Sequence, residues 1–240
     1  MLASLAASRE RQRRLVADAG HELRTPLTSL RTNLELLALA DRQGGLSPEQ
    51  RDEILDDATA QVGELSTLVG DLVELARDEP VQRPPEPVDL SGLVDRAVER
   101  VRRRTLGISF DVTTAPWWVM GEAAILERAI TNLLDNAAKW SPPDSTVRVL
   151  LDNGTLIVED NGSGINPTDL PMIFERFYRA EDARTMPGSG LGLAIVRQAA
   201  ERHGGSVSAA NRPEGGAVLT LRLPGAVTAD GIPVAPQSDA

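Results

Sequence analysis

The sequence predicts a chain in two parts: an α-helical hairpin that forms a dimeric four-helix bundle, then an α+β sandwich with helices on one sheet face. Three observations predict it. Leu23, Leu27, Leu30, Leu34 and Leu37 alternate four and three apart, the spacing of a bundle seam. The stretch EPVQRPPEP, Glu79 to Pro87, holds four prolines in nine residues and can support neither a helix nor a central strand. From Val88 onward helical and alternating patterns mix, and Asn153-Gly154 between two β-rich runs is the strongest hairpin signal in the chain.

Each element follows in order. The first helix is predicted from Leu2 to Ala40, with Pro26 as an interruption that leaves the carbonyl of Glu22 without its usual partner. Asp41 to Gly45 reads as a break, and Ser47-Pro48-Glu49 as a helix start with proline in the first helical position. The second helix carries Ala58, Val62, Leu65, Leu68, Leu72 and Leu75 at helical spacing and ends near Arg77. Two helices with one apolar stripe each cannot close a core alone, so two chains are expected to share one. The predicted domains are residues 1–78, a proline-rich linker at 79–87, a second domain at 88–224, and an unstructured tail at 225–240.

In the second domain Leu93, Val94, Ala97, Val98 and Val101 mark a helix, and Ile108 to Thr113 a strand. A short strand at Trp117 to Met120 leads into a helix from Glu122 to Lys139. Val147 to Leu151 and Thr155 to Glu159 flank the Asn-Gly turn, and Asn161 to Gly190 is irregular. A helix from Leu191 to Arg202 ends at His203-Gly204-Gly205, before strands at Ser206 to Ala210 and Ala217 to Leu223. The strands read as antiparallel hairpins rather than βαβ units.

Composition narrows the function. A formal charge of −10 over 240 residues argues against a nucleic-acid binder, which needs basic surface. The absence of cysteine excludes disulfides and thiolate metal sites. No apolar run approaches the roughly 18 residues of a membrane span, and no leader pattern opens the chain. A soluble, cytoplasmic piece is expected, and its uncapped opening helix reads as continuing upstream.

Several residues have chemical potential. His21 sits beside the leucine seam, about 100° around the helix from Gly20, with Glu22 adjacent and Thr25 one turn on. It is either a solvated histidine or a reactive imidazole. Asn132, Asn136 and Lys139 share one helical face, either as solvated surface or as an amide oxygen for a hard cation beside an ammonium for phosphate. Asp160-Asn161-Gly162-Ser163-Gly164 follows a strand; it is an ordinary turn, or a place where backbone approaches a flat ring while Asp160 accepts from an exocyclic amine. Gly188-Ser189-Gly190-Leu191-Gly192 precedes a helix whose first amides favour phosphate. It is neither a Walker loop nor a dinucleotide fingerprint.

In this order HELRTP, NLLDNAAKW, DNGSGI, IFERFYRA and GSGLGLAIV resemble the H, N, G1, F and G2 boxes of sensor histidine kinases. The resemblance spans Arg11 to Leu223 and implies a dimerisation and histidine-phosphotransfer domain followed by an ATP-binding domain of the Bergerat (GHKL) fold. By matching position it implies His21 as phosphoacceptor, Glu22 as its base and Thr25 as the residue that positions water for dephosphorylating the partner. Asn136 is implied as the Mg²⁺ ligand, with Asn132 and Lys139 near the phosphates. Asp160 would read the adenine of ATP, with Gly162 and Gly164 beside the ring, and Arg179 would reach the γ-phosphate from the lid. Gly188, Gly190, Leu191 and Gly192 complete the nucleotide site. Phe174 and Phe177 are implied as lid anchors, and His203 as a helix-end residue without a catalytic role. Trp140 replaces a more usual tyrosine, and Ser163 a more usual proline or isoleucine. The implied partners are a second copy of the chain and the receiver domain of a response regulator, with a membrane anchor upstream in the full-length protein. The alternatives are a dimeric nucleotide-binding scaffold without transfer, and a different ATPase or serine-directed kinase of the same fold.

Overall fold

The computed structural model describes residues 2–43, 45–76, 85–181 and 188–232. The chain divides into two compact units, Met1–Pro80 with Glu181–Leu191, and Val81–Ala180 with Gly192–Ala240.

The first unit is built on two long helices, α1 (Leu2–Gln43) and α2 (Pro48–Ala76). Helix α1 runs through Pro26 and three residues past the expected end at Ala40. Asp41, Arg42 and Gln43 all tolerate helix, and Gly45 beyond them adopts a left-handed φ of +122°. Ser47 caps α2 reciprocally with Gln50: the Gln50 N–H donates to Ser47 Oγ (3.3 Å) and the Ser47 N–H to Gln50 Oε1 (2.9 Å). Between the two helices Ala19, Ala58, Leu68 and Leu75 are buried, but Leu34, Val62, Val69 and Val73 remain about half exposed. The hairpin thus leaves much of its apolar stripe in water. Since about half of each such side chain is still exposed, full burial stands to add roughly 0.7–1.5 kcal/mol apiece.

The second unit contains β1 (Glu86–Asp89), α3 (Leu90–Arg104), β2 (Ile108–Thr114), β3 (Trp118–Gly121), α4 (Ala123–Trp140), β4 (Ser145–Asp152), β5 (Thr155–Glu159), α5 (Gly192–Arg202), β6 (Ser206–Asn211) and β7 (Ala217–Arg222). Five strands form one sheet in the order β2-β4-β5-β7-β6, and β1 pairs with β3 in a separate ribbon. Val147, Val149, Leu151, Leu156, Val158, Leu219 and Leu221 alternate onto the buried face, where Leu93, Val94, Leu126, Ile130, Leu133 and Val196 of the helices meet them. The predicted hairpin turn forms with left-handed Asn153 (φ +46°) and Gly154 (φ +73°).

Three expectations are corrected. The strands are not all hairpins: β2 pairs with β4 in parallel, because β3 and α4 intervene and supply the crossover that a parallel pair needs. The end of the expected linker is structured: Glu86 and Pro87 pair with Gly121 and Met120 in β1, an edge ribbon where proline costs no central ladder bond. Residues 79–84 of the linker lie outside the described residues. The first residues of the expected tail are also ordered. The Trp118 N–H donates to the Ala226 carbonyl (2.7 Å), the Ala226 N–H returns to Trp118 (2.9 Å), and Ile232 is buried. Residues 233–240 lie outside the described residues.

His203 ends α5 as expected, but does more than face the helix dipole. It is buried, its Nδ1–H donates to the Ala199 carbonyl (2.7 Å), and its Nε2 accepts the N–H of Glu122 at the start of α4 (3.1 Å). That pair of bonds requires the neutral ring with its proton on Nδ1. Burial pushes the imidazole below its ordinary value, against the raising influence of the Ala199 carbonyl and Glu122. A depressed histidine contributes stability that is complete above the unfolded value of about 6.5 and is lost as pH falls through the folded value. The urea midpoint of this unit is therefore expected to fall as pH drops below about 6.5, and His203→Gln to flatten that dependence; equal slopes for both proteins contradict the assignment.

Candidate functional site

The second unit's site is built on α4 and the loop after β5. Leu126, Ala129, Ile130, Leu133, Leu134 and Ala137 bury one side of α4. Asn132, Asn136 and Lys139 fall together on the half-buried opposite side, as their spacing predicts. Their environments differ. The Asn132 side-chain amide donates to the Gly192 carbonyl (3.2 Å) and ties α4 to the first turn of α5. Among the described residues the Asn136 amide makes no hydrogen bond, so its oxygen is available to a hard cation. Lys139 Nζ lies 5.5 Å from the centroid of the Trp140 ring, a cation–π distance. The carboxyl of neighbouring Asp135 is pushed up by burial, against the lowering effect of Arg104 on α3, with which it is paired. Asp135 therefore buttresses α3 and is no candidate for the chemistry.

Asp160 stands one residue beyond β5 and is buried to 3% exposure. Its N–H donates to the Ala217 carbonyl (3.0 Å), as a continued β5–β7 ladder would require. Its Oδ1 accepts two backbone N–H groups, from Gly162 and from Ala217, each at 2.9 Å. No described residue bonds Oδ2, so one oxygen is fixed by the fold and the other is left for a donor outside the chain. A buried carboxylate oriented in this way suits an exocyclic amine.

The glycines of this loop have reasons within the fold. A Cβ on Gly162 would lie 2.6 Å from the Trp140 carbonyl, and Gly164, at φ +79°, would set one 2.9 Å from Asn211 Oδ1. Close approach of a ligand is not needed to explain either. The Asp160 backbone imposes a third just before β7: a Cβ on Gly216 would stand 2.1 Å from the Asp160 carbonyl.

The remaining expected residues are placed as follows. His21, Glu22 and Thr25 lie on α1, and Glu22 is exposed; the side chains of His21 and Thr25 lie outside the described residues. Gly188 (φ +141°), Gly190 (φ +70°) and buried Leu191 group with the first unit. There Ser189 Oγ donates to the Asp71 carboxylate (3.2 Å) and the Leu191 N–H to Ser189 Oγ (3.3 Å). Gly192 belongs to the second unit, where its carbonyl accepts from Asn132. Arg179 is half-buried. Phe174 packs on the core cluster, and Phe177 is half-buried with a left-handed φ of +61°. The structure thus brings Asn132, Asn136, Lys139, Asp160, Gly162, Gly164 and Gly192 into one unit, and His21, Glu22 and Thr25 into the other. Sequence reasoning missed Asn211, Arg212 and Gly216, which hold the Asp160 loop from the β6–β7 hairpin; only the glycine pair Gly215-Gly216 hinted at a tight turn there.

Two protein families match the chain. Residues 11–80 match the His Kinase A (phospho-acceptor) domain, and residues 121–227 match the histidine kinase-, DNA gyrase B- and HSP90-like ATPase. The chain is 54% identical over 223 residues to the signal transduction histidine-protein kinase/phosphatase MprB of Mycobacterium avium, covering 90% of this chain and 43% of that protein. Its likeness to the protein of the same name from Mycolicibacterium smegmatis is 53% over 239 residues, covering 94% and 48%. The chain thus spans about half the length of these curated relatives. A solved structure of a mycobacterial sensor histidine kinase MprB superposes with a TM-score of 0.54 at 45% identity, covering 59% of this chain and 97% of that one. The Acinetobacter baumannii histidine kinase AdeS, at 23% identity and a TM-score of 0.64 over 85% of this chain and 96% of its own, shares the fold.

The contacts of the loop yield a stability prediction. Gly162→Ala is expected to lower stability by about 1–3 kcal/mol, because Cβ meets a fixed carbonyl. Ser163→Ala beside it, with an exposed side chain, is expected to stay within about 0.5 kcal/mol. Urea unfolding checks both, and equal midpoints for the two variants contradict the contact geometry.

Proposed function

The chain belongs to the sensor histidine kinases, and from that premise we propose that it transfers the γ-phosphate of ATP to His21 and then to an aspartate of a response regulator. The observation that carries this reading is the placement of the residues within the two matched families. His21, Glu22 and Thr25 fall inside the phospho-acceptor segment, and Asn136, Lys139 and Asp160 inside the ATPase segment.

Each residue then has a role its chemistry can fill. At neutral pH an unperturbed imidazole is mostly uncharged and nucleophilic. A ring nitrogen of His21 forms the new N–P bond as the bond from the γ-phosphorus to the bridging oxygen breaks, and ADP leaves with the electron pair. Glu22 acts as the base, its carboxylate taking the proton from the ring as the N–P bond forms. Phosphoryl transfer asks mainly for alignment and charge neutralisation. Lys139 and Arg179 supply charge, and Asp160 fixes the base through the oxygen its fold leaves unused. The donor set fits Mg²⁺, a hard cation that takes oxygen ligands and leaves most of its shell to phosphate and water; Asn136 would hold it. Mg²⁺ supplies neutralisation of the phosphate oxygens.

The half-exposed apolar stripe of α1 and α2 supports a homodimer whose four helices share one core. In this reading the chain is the cytoplasmic part of a membrane-anchored sensor, and the regulator's receiver domain docks near His21. Thr25 positions water to remove phosphate from the regulator, the second activity named for the curated relatives. A nucleotide-binding scaffold without transfer is not favoured, because it gives the His21-Glu22 pair no task.

Incubation with γ-labelled ATP and Mg²⁺ is expected to give acid-labile, base-stable label on the wild-type chain and none on His21→Gln. Label that persists in the variant, or that survives acid, contradicts the assignment. Thr25→Ala is expected to keep autophosphorylation within about twofold while slowing regulator dephosphorylation at least tenfold; unchanged dephosphorylation removes Thr25 from that role.

A further inference from the structure

Asn211 and Arg212, consecutive residues at the end of β6, hold both ends of the Asp160–Ile165 loop. Arg212 Nη1 donates to the Asp160 carbonyl (2.9 Å) and to Asn161 Oδ1 (2.8 Å). Its other nitrogens are held in turn, Nη2 by Glu214 (3.3 Å) and Nε near Glu159 (4.0 Å). Asn211 clamps the far end with both of its polar atoms: the Ile165 N–H donates to Oδ1 (2.7 Å), and Nδ2 donates to the Ile165 carbonyl (2.6 Å). Asn161 adds a third anchor, donating through Nδ2 to the Thr146 carbonyl of β4 (2.8 Å). Between these clamps lie the buried Asp160 carboxylate and the two glycines.

We propose that Asn211 and Arg212 are positioning residues for nucleotide-base selection. The inference rests on the reading of Asp160 as the contact to the adenine amine. Asn211 bonds the loop backbone at Ile165, and Arg212 bonds the backbone at Asp160 and the Asn161 side chain. Their work is to fix where the carboxylate sits before nucleotide arrives. The Asp160 carbonyl is the point at which this matters most. Its N–H is committed to Ala217 and its Oδ1 to the Gly162 and Ala217 amides, so a guanidinium on the carbonyl locks the peptide plane to which the carboxylate is attached. A loop already held in its binding conformation loses less freedom on binding, and base selectivity depends on the donor geometry being held to within a fraction of an ångström. Charge explains the choice of arginine: it can satisfy several acceptors at fixed geometry while Glu159 and Glu214 balance it.

The test is equilibrium binding of ADP and GDP to the full chain, with the melting temperature measured on each variant. Asp160→Asn is the reference and is expected to erase the preference for ADP. Arg212→Ala and Asn211→Ala are expected to weaken ADP about five- to tenfold and to narrow the ADP/GDP ratio, the size that loss of one or two loop-fixing hydrogen bonds gives. Arg212→Lys, which keeps a donor and a charge, is expected to recover part of both. Where an alanine variant fails to fold, Arg212→Lys and Asn211→Asp carry the test, since aspartate keeps the acceptor for Ile165 and loses the donor. An ADP/GDP ratio unchanged from wild type in folded variants overturns the proposal, as does a weakening equal for ADP and GDP with no rescue by lysine. If Asp160→Asn itself keeps the preference for ADP, the adenine reading fails first and the proposal falls with it.

Discussion

The second unit depends on one carboxylate oxygen. Asp160 Oδ1 accepts the N–H groups of Gly162 and Ala217 at once, and so replaces the backbone acceptor that β7 would otherwise find where β5 ends. Two charge-assisted hydrogen bonds in a buried setting are strong and directional. They turn the side chain into part of the sheet. Several other features follow. Gly216 must lack a side chain because the Asp160 carbonyl lies against it, and that carbonyl then falls within reach of Arg212. The carboxylate enters binding without rotamer freedom to lose.

The two units divide the chemistry by physical type. The second offers a rigid site on α4 and the Asp160 loop, supported by a core in which Leu126, Ile130, Leu133 and Leu134 are fully buried. The first is a hairpin whose leucines and valines are half satisfied, and which has a reason to meet another copy of itself. On the proposed reading, a site that reads a base benefits from rigidity, and a helix that offers a histidine first to ATP and then to a regulator benefits from a looser setting; Pro26 removes one hydrogen-bond donor from the turn after Glu22.

Much of this was legible in the sequence because its cause is local. The four-three leucine spacing, the Ser47 cap and the Asn153-Gly154 turn each depend on residues within a few positions of one another. The helical pattern placed Asn136 on α4, and the strand pattern placed Asp160 just after β5, where the structure has them. What escaped was set by distant chain. The parallel pairing of β2 with β4 follows from a crossover, and β1 and the ordered start of the tail exist only because β3 and Trp118 present partners. Arg212 meets Asn161 across 51 residues. In the sequence it is one charge among many in a turn, and periodicity gives no sign that it bonds a carbonyl. The loop glycines were legible as glycines, but the reason inside the fold was not: the Trp140 carbonyl and Asn211 exclude a side chain whether or not a ligand approaches.

The most direct measurement is a crystal structure of the chain with ADP bound. The account predicts the adenine amine within hydrogen-bond distance of Asp160 Oδ2, while Oδ1 still holds the Gly162 and Ala217 amides and Arg212 still holds the Asp160 carbonyl. A base seated elsewhere, or a carboxylate that rotates away from the two amides to reach it, contradicts the account.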